Sequence, residues 1–128
     1  MFLMRVYGIV LACVFCNVTA QVLLKMGAGI GGARLYQNPF DVAHWWATLS
    51  SWPLIVGIAL WTISTLLWVY VLSGHQLTFA YALYGLNYVL TPLAANLVFQ
   101  ESMKPVQVSG VALIALGVGL TVIGREQV

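Results

Sequence analysis

Long uncharged runs separated by short polar clusters organise this chain. Nineteen residues between Arg5 and Lys25, and 59 between Asp41 and Glu101, include no Asp, Glu, Lys or Arg. The 20 residues 105–124, after Lys104, are again uncharged. A helix needs about 20 apolar residues to cross a hydrocarbon core roughly 30 Å thick. The first gap therefore holds one span, the second two and the third one. This predicts membrane helices over 6–25, 53–72, 77–99 and 105–124 in a single membrane domain, 1–128.

The connections are marked by residues that favour turns or helix ends. The glycine-rich stretch 27–32 is expected to end the first span, because glycine is a poor helix former. A loop then runs to Ser51, and its second half opens with Asn38 as a candidate N-cap and Pro39 at the first helical position. Phe40, Ala43, Trp46 and Ala47 recur at helical spacing beside Trp45, which predicts a short helix over 39–50. Tryptophan favours the boundary between lipid and water, so this helix would lie at the headgroups; a tryptophan-rich extension of the second span fits the pattern as well. Pro53 falls in the first turn of span two, where its missing N–H costs little. Ser73 to Gln76 is too short to do more than reverse the chain, so spans two and three are antiparallel neighbours. Pro92 removes one backbone bond inside span three and predicts a bend there. Gln100 to Lys104 turns the chain into span four, which Pro105 opens.

Composition excludes a soluble domain. Of 128 residues, 62% are apolar and 6% charged, where a soluble domain carries about 25% charge. Mean hydropathy is +0.96. The fold class is all-α, an integral membrane bundle of four transmembrane helices, and dimerisation is expected because four helices alone cannot enclose a large substrate path. A net charge of +2, scattered along the chain, gives no nucleic-acid footprint. The first apolar run is too long for a typical signal core and carries Asn17 and Gln21 mid-span, so it is taken as a mature helix. Four spans put Arg5 and Arg125 on one side and Lys25, Arg34 and Lys104 on the other, a bias too small to fix orientation.

Few residues at membrane depth can do chemistry. Asp41, Glu101 and Glu126 all lie near span ends or in loops, and His44 and His75 lie outside the spans. A proton-coupled carrier uses a group that gains and loses a proton within the membrane, and the spans offer no carboxylate for that purpose. Cys13, Asn17, Gln21 and Lys25 follow one another every four residues on span one, drifting only about 40° per step. This polar stripe either lines a substrate path, with Lys25 as an anion contact near the membrane edge, or ties helices together while Lys25 snorkels. Tyr81, Tyr84 and Tyr88, with Asn87, give span three an aromatic face with polar handles. That face would suit an amphiphile, and it would equally serve as packing. Gly110, Gly117, Thr121 and Gly124 share one face of span four, with Ala112, Ala115 and Gly119 beside it. Small residues let helices approach closely in lipid, either within the bundle or between two subunits. Cys13-x-x-Cys16 lacks further ligands for a metal, and Asn17-Val-Thr19 matches a glycosylation acceptor by letters only. No arrangement of nucleophile and base is present, so neither an enzyme, a metal nor a cofactor is expected.

N-V-T-A-Q-V-L-L-K at the end of span one, A-Y-A-L-Y-G-L-N-Y-V-L in span three and F-Q-E-S-M-K-P-V-Q-V-S-G-V-A-L-I-A-L-G-V into span four resemble the four-helix end of the drug/metabolite transporter superfamily. The resemblance covers nearly the whole chain outside the loop from Gly29 to Ser51. Two branches compete. Small multidrug resistance proteins carry an essential glutamate eight residues before the lysine that closes their first helix, and here that position is Asn17. Tyr81 matches an aromatic position of that branch, and Tyr84 stands where tryptophan is usual. The chain is more similar to ArnE-type subunits, which flip undecaprenyl-phosphate-linked aminoarabinose across the bacterial inner membrane for envelope modification. Gln21, Lys25, Tyr81, Leu86 to Val89 and Glu101 suit that group. The resemblance implies a flippase subunit that pairs with itself or with a similar four-helix subunit and takes a polyprenyl-phosphate lipid along Asn17, Gln21, Tyr81, Tyr84, Asn87 and Tyr88. Lys25 would hold the phosphate. The longer first loop with Trp45 and Trp46 departs from the pattern and leaves the sugar head group open. Multidrug efflux of cationic compounds and a non-transporting membrane scaffold are the alternatives.

Overall fold

The computed structural model describes the backbone of residues 2–125 and their side chains except 2–4, 6, 31–36 and 125, so Arg34, Arg125 and Glu126 lie outside the described side chains. Six helices follow in order: α1 (Phe2–Gln37), α2 (Val42–Leu49), α3 (Trp52–Gly74), α4 (Leu77–Tyr84), α5 (Leu86–Phe99) and α6 (Pro105–Arg125). Four stretches are long and apolar enough to cross a membrane: Tyr7–Ile30, Trp52–Gly74, Leu77–Phe99 and Pro105–Gly124.

The first departure from the sequence-based expectation is α1. It does not stop at the glycines but continues to Gln37, so its 36 residues extend about 54 Å. Glycine's helix penalty is largely a matter of solvated, entropically free backbone, and within a lipid-embedded bundle packing outweighs it. Gly27 shows how. A Cβ there would stand 2.8 Å from both the Cβ and the backbone N of Leu54, so the bare backbone is what lets α3 cross so closely. Gly57 faces the Ala20 to Leu24 stretch of α1 at the same crossing.

The short helix in the first connection also begins later than expected. Pro39 and Phe40 form a turn, and Asp41, not Asn38, caps α2 by accepting from the backbone N–H groups of Ala43 and His44. α2 packs back against α1. Its flank is exposed and apolar, with Phe40, Val42 and Trp46 all more than 70% exposed.

Span three is divided at Gly85, whose backbone stays helical at φ −54° and ψ −25°. α4 ends at Tyr84, α5 starts at Leu86, and Pro92 lies inside α5. Tertiary packing accounts for a glycine here: a Cβ on Gly85 would come within 2.7 Å of Val118 Cγ2 on α6, so the bare backbone admits that helix.

The core forms between α1, α3 and α4. Val10, Val14 and Val18, spaced four apart on α1, meet Val71, Phe79, Ala80 and Leu83. Tyr7 closes one end edge-on against Phe79, with ring centroids 5.9 Å apart. Among the described residues α6 rests on α4 and α5, and its apolar window has no buried residue.

Candidate functional site

The polar stripe of α1 winds as a four-residue repeat must. Cys13 and Lys25 are three steps apart, a rotation of about 120° around the helix. Cys13 faces α3, where its thiol is 3.2 Å from the Ser64 carbonyl and the Ser64 hydroxyl donates to the Cys13 carbonyl at 3.0 Å. Asn17 is buried, only 3% exposed. Gln21 lies on the surface of this chain and donates from Nε2 to Asn17 Oδ1 at 3.4 Å. Lys25 turns towards the far end of α5: it pairs with Glu101 and stands 4.7 Å from the centre of the Phe99 ring. Both partners of that ion pair are half exposed, at 49% and 50%.

The turn that carries Glu101 is fixed from both sides. Gln100 takes the left-handed conformation at φ 54°, which ends α5. Asn96 Nδ2 donates to the Glu101 carbonyl at 2.6 Å. On the other side, Gln107 Oε1 accepts the Lys104 N–H at 2.8 Å, the side-chain half of a capping box at the start of α6. Beside this turn α5 and α6 enclose a groove of about 410 Å³. Tyr88, Pro92, Glu101, Met103, Gln107 and Gly110 are among its walls.

The tyrosines divide between two surroundings. Tyr81 and Tyr84 both pack on Trp68 of α3, Tyr81 edge-on at 5.4 Å and Tyr84 tilted at 4.6 Å. Tyr88 points away from that cluster and is 63% exposed at the groove. Asn87 is buried and its Oδ1 accepts from Thr91 at 3.5 Å. Of the sequence-derived candidates, the fold therefore joins Asn17 with Gln21, Lys25 with Glu101, Tyr81 with Tyr84, and Tyr88 with Glu101. It does not gather them in one cavity: Asn17, Gln21 and Lys25 are not among the groove's walls. Trp68 is the residue that sequence reasoning missed. It lies four residues from the predicted end of span two, where the lipid–water boundary already accounts for a tryptophan, so no local signal set it apart.

On α6, a Cβ at Gly110, Gly117 or Gly124 would meet nothing within 4 Å among the described residues, although Gly110 also borders the α5–α6 groove. Thr121 satisfies its own hydroxyl on the Gly117 carbonyl at 2.8 Å. Val118 and Val122, half-buried on another face, do the packing towards the bundle. The small-residue face is left open.

No protein-family model and no solved structure matches this chain. Curated relatives do. A protein of Pseudomonas paraeruginosa named "Probable 4-amino-4-deoxy-L-arabinose-phosphoundecaprenol flippase subunit ArnE" is 33% identical over 113 residues, covering 81% of this chain and 91% of that protein. The corresponding ArnF subunit of Photorhabdus laumondii is 32% identical over 105 residues, 79% of this chain and 83% of the relative. An ArnE subunit of Pseudomonas savastanoi is 39% identical over 72 residues; there the match spans 56% of this chain and 63% of the relative's length, less than two thirds. The four membrane-crossing helices and these relatives make it a multi-pass membrane protein, and the chain belongs to the family of ArnE and ArnF flippase subunits.

Proposed function

We propose that this chain is one subunit of a flippase in the bacterial inner membrane that carries an undecaprenyl-phosphate-linked aminoarabinose, or a closely related lipid-linked sugar, between leaflets. It works with a second four-helix subunit, a sibling or a copy of itself. The single observation that carries the reading is the course of the polar stripe on α1, from a buried amide at Asn17 through Gln21 to the cation Lys25 near the end of the apolar stretch. A lipid phosphate must exchange its hydration for protein donors while its tail stays in hydrocarbon. Side-chain amides at membrane depth followed by an ammonium near the headgroups supply such donors in sequence. The buried position of Asn17 carries an amide, so the stripe offers no carboxylate for proton uptake at membrane depth. This suits transport driven by consumption of the lipid on the receiving side.

The open face of α6, with Gly110, Gly117, Thr121 and Gly124, is where the second subunit docks on this reading, and alternation of the pair would expose the path to each side in turn. The test is complementation of a flippase-null strain together with transfer of a labelled polyprenyl-phosphate sugar between leaflets of a reconstituted vesicle. Lys25→Ala should abolish both at unchanged protein level, and full activity in that variant would overturn the reading.

A further inference from the structure

Lys25 is not free to receive a phosphate: in this structure its ammonium is already neutralised by Glu101. Any anion that binds Lys25 must displace that carboxylate, and a displaced carboxylate beside a ligand needs a new cation. Glu101 also forms part of the wall of the 410 Å³ groove between α5 and α6. Pockets that hold small ligands fall in the range of about 300–1,000 Å³, mostly apolar with a few polar groups that fix orientation. Here the apolar part is supplied by Pro92, Met103, Val111 and Ile114, and the polar part by Glu101 and Gln107.

We infer that the Lys25–Glu101 pair is a receptor for a zwitterionic head: the phosphate takes over Lys25, and an ammonium on the sugar takes over Glu101, with the sugar ring seated in the α5–α6 groove. This rests on the flippase reading and specifies the head group that it leaves open. The chemistry is an exchange of partners. One ion pair is broken and two charge-assisted pairs are made, so neither charge ends without a partner beside the bound head. A head bearing phosphate but no amine would leave Glu101 uncompensated beside the phosphate, so Glu101 acts as the discriminator. The fixed turn supports this role, because Asn96 and Gln107 hold the backbone on either side of Glu101 while its side chain remains half exposed and able to change partners. The Phe99 ring also faces the Lys25 ammonium, 4.7 Å from its centre.

The experiment measures binding of two lipids to the reconstituted protein, undecaprenyl phosphate and its 4-amino-sugar derivative, in wild type and Glu101→Gln. Wild type should prefer the amino-sugar lipid. Glu101→Gln should bind the amine-free lipid about 2- to 5-fold more tightly, because no pair has to be opened. The same variant should bind the amino-sugar lipid about 5- to 30-fold more weakly, because the ammonium loses its partner. Opposite signs for the two lipids support the exchange. A shift of the same sign for both, or none, overturns it while leaving the flippase reading intact. The double variant Lys25→Glu with Glu101→Lys restores the ion pair and controls for folding; it should be as stable as wild type. Wild-type protein that binds neither lipid would instead remove the flippase reading.

Discussion

Two alanine substitutions, two residues apart on α1, should have opposite effects on stability. Gly27→Ala places a Cβ 2.8 Å from the backbone N and Cβ of Leu54 and 3.0 Å from its Cα, so α3 must move as a unit and no flexible side chain can absorb the clash. Overpacking of this kind costs about 1–3 kcal/mol, and the gain from replacing a helical glycine offsets at most about 1 kcal/mol of it. The net expectation is a loss of about 0.5–2 kcal/mol. Gly29→Ala meets nothing within 4 Å, so only the propensity gain remains, about 0.5–1 kcal/mol of stabilisation. The measurement is reversible unfolding in mixed micelles of dodecylmaltoside and sodium dodecyl sulfate, with both variants and wild type compared at one detergent ratio. Transfer activity should follow Gly27→Ala downwards, because the α1–α3 crossing sets the direction in which Asn17, Gln21 and Lys25 project. If the two variants shift stability in the same direction, α1 does not run unbroken through its glycines, and the crossing at Leu54 is wrong.

Trp68→Leu removes two aromatic contacts, to Tyr81 and Tyr84, each worth about 0.5–1.5 kcal/mol beyond area. It should lower unfolding stability and increase the exposure of both tyrosines to a lipid-soluble quencher; unchanged quenching would dissociate Trp68 from the tyrosine face. Gly117→Leu should leave subunit stability within about 0.5 kcal/mol, since its surroundings are open, yet abolish subunit pairing measured by light scattering in detergent. Pairing that survives places the interface elsewhere. Asp41 is held below the ordinary carboxylate range, chiefly by its side-chain hydrogen bond with His44 and further by the backbone N–H groups of His44 and Ala43. A depressed carboxylate stabilises above its unfolded value, about 3.9, and loses that contribution as pH falls through the lower folded value. The start of α2 should therefore loosen only below about pH 4, seen as a change in Trp45 and Trp46 emission. In Asp41→Asn that acid transition should be absent.

How much of this was legible in the sequence follows from where the determining forces lie. The four spans could be read from charge spacing because insertion is a property of each segment by itself. The fate of the glycines could not, because Gly27 is set by Leu54, a residue 27 positions away that a local propensity does not register. The same holds for Gly85 in span three, where the space a side chain would need is taken by Val118, 33 residues away. At the candidate site the stripe on α1 was visible as a repeat, and its rotation follows from helix geometry, yet the pairing of Lys25 with Glu101 across 76 residues has no sequence signature. Trp68 reads in the sequence as an ordinary boundary tryptophan, not as the surface on which Tyr81 and Tyr84 pack.

The exposed polar and aromatic groups at membrane depth argue for the proposed pairing independently of the small residues on α6. Gln21 has its amide on the outside of this chain, and Tyr81 and Tyr88 are more than half exposed. An unpaired amide in hydrocarbon costs roughly 2–7 kcal/mol, far more than the single long hydrogen bond from Gln21 to Asn17 returns. A lone four-helix subunit facing lipid on all sides would carry that cost without return. A second bundle would enclose these groups in a shared cleft, where the same amide and hydroxyls meet a hydrated head. On the proposed reading, groups that are a defect in the isolated subunit become the polar wall of the path, and this chain supplies half of that site.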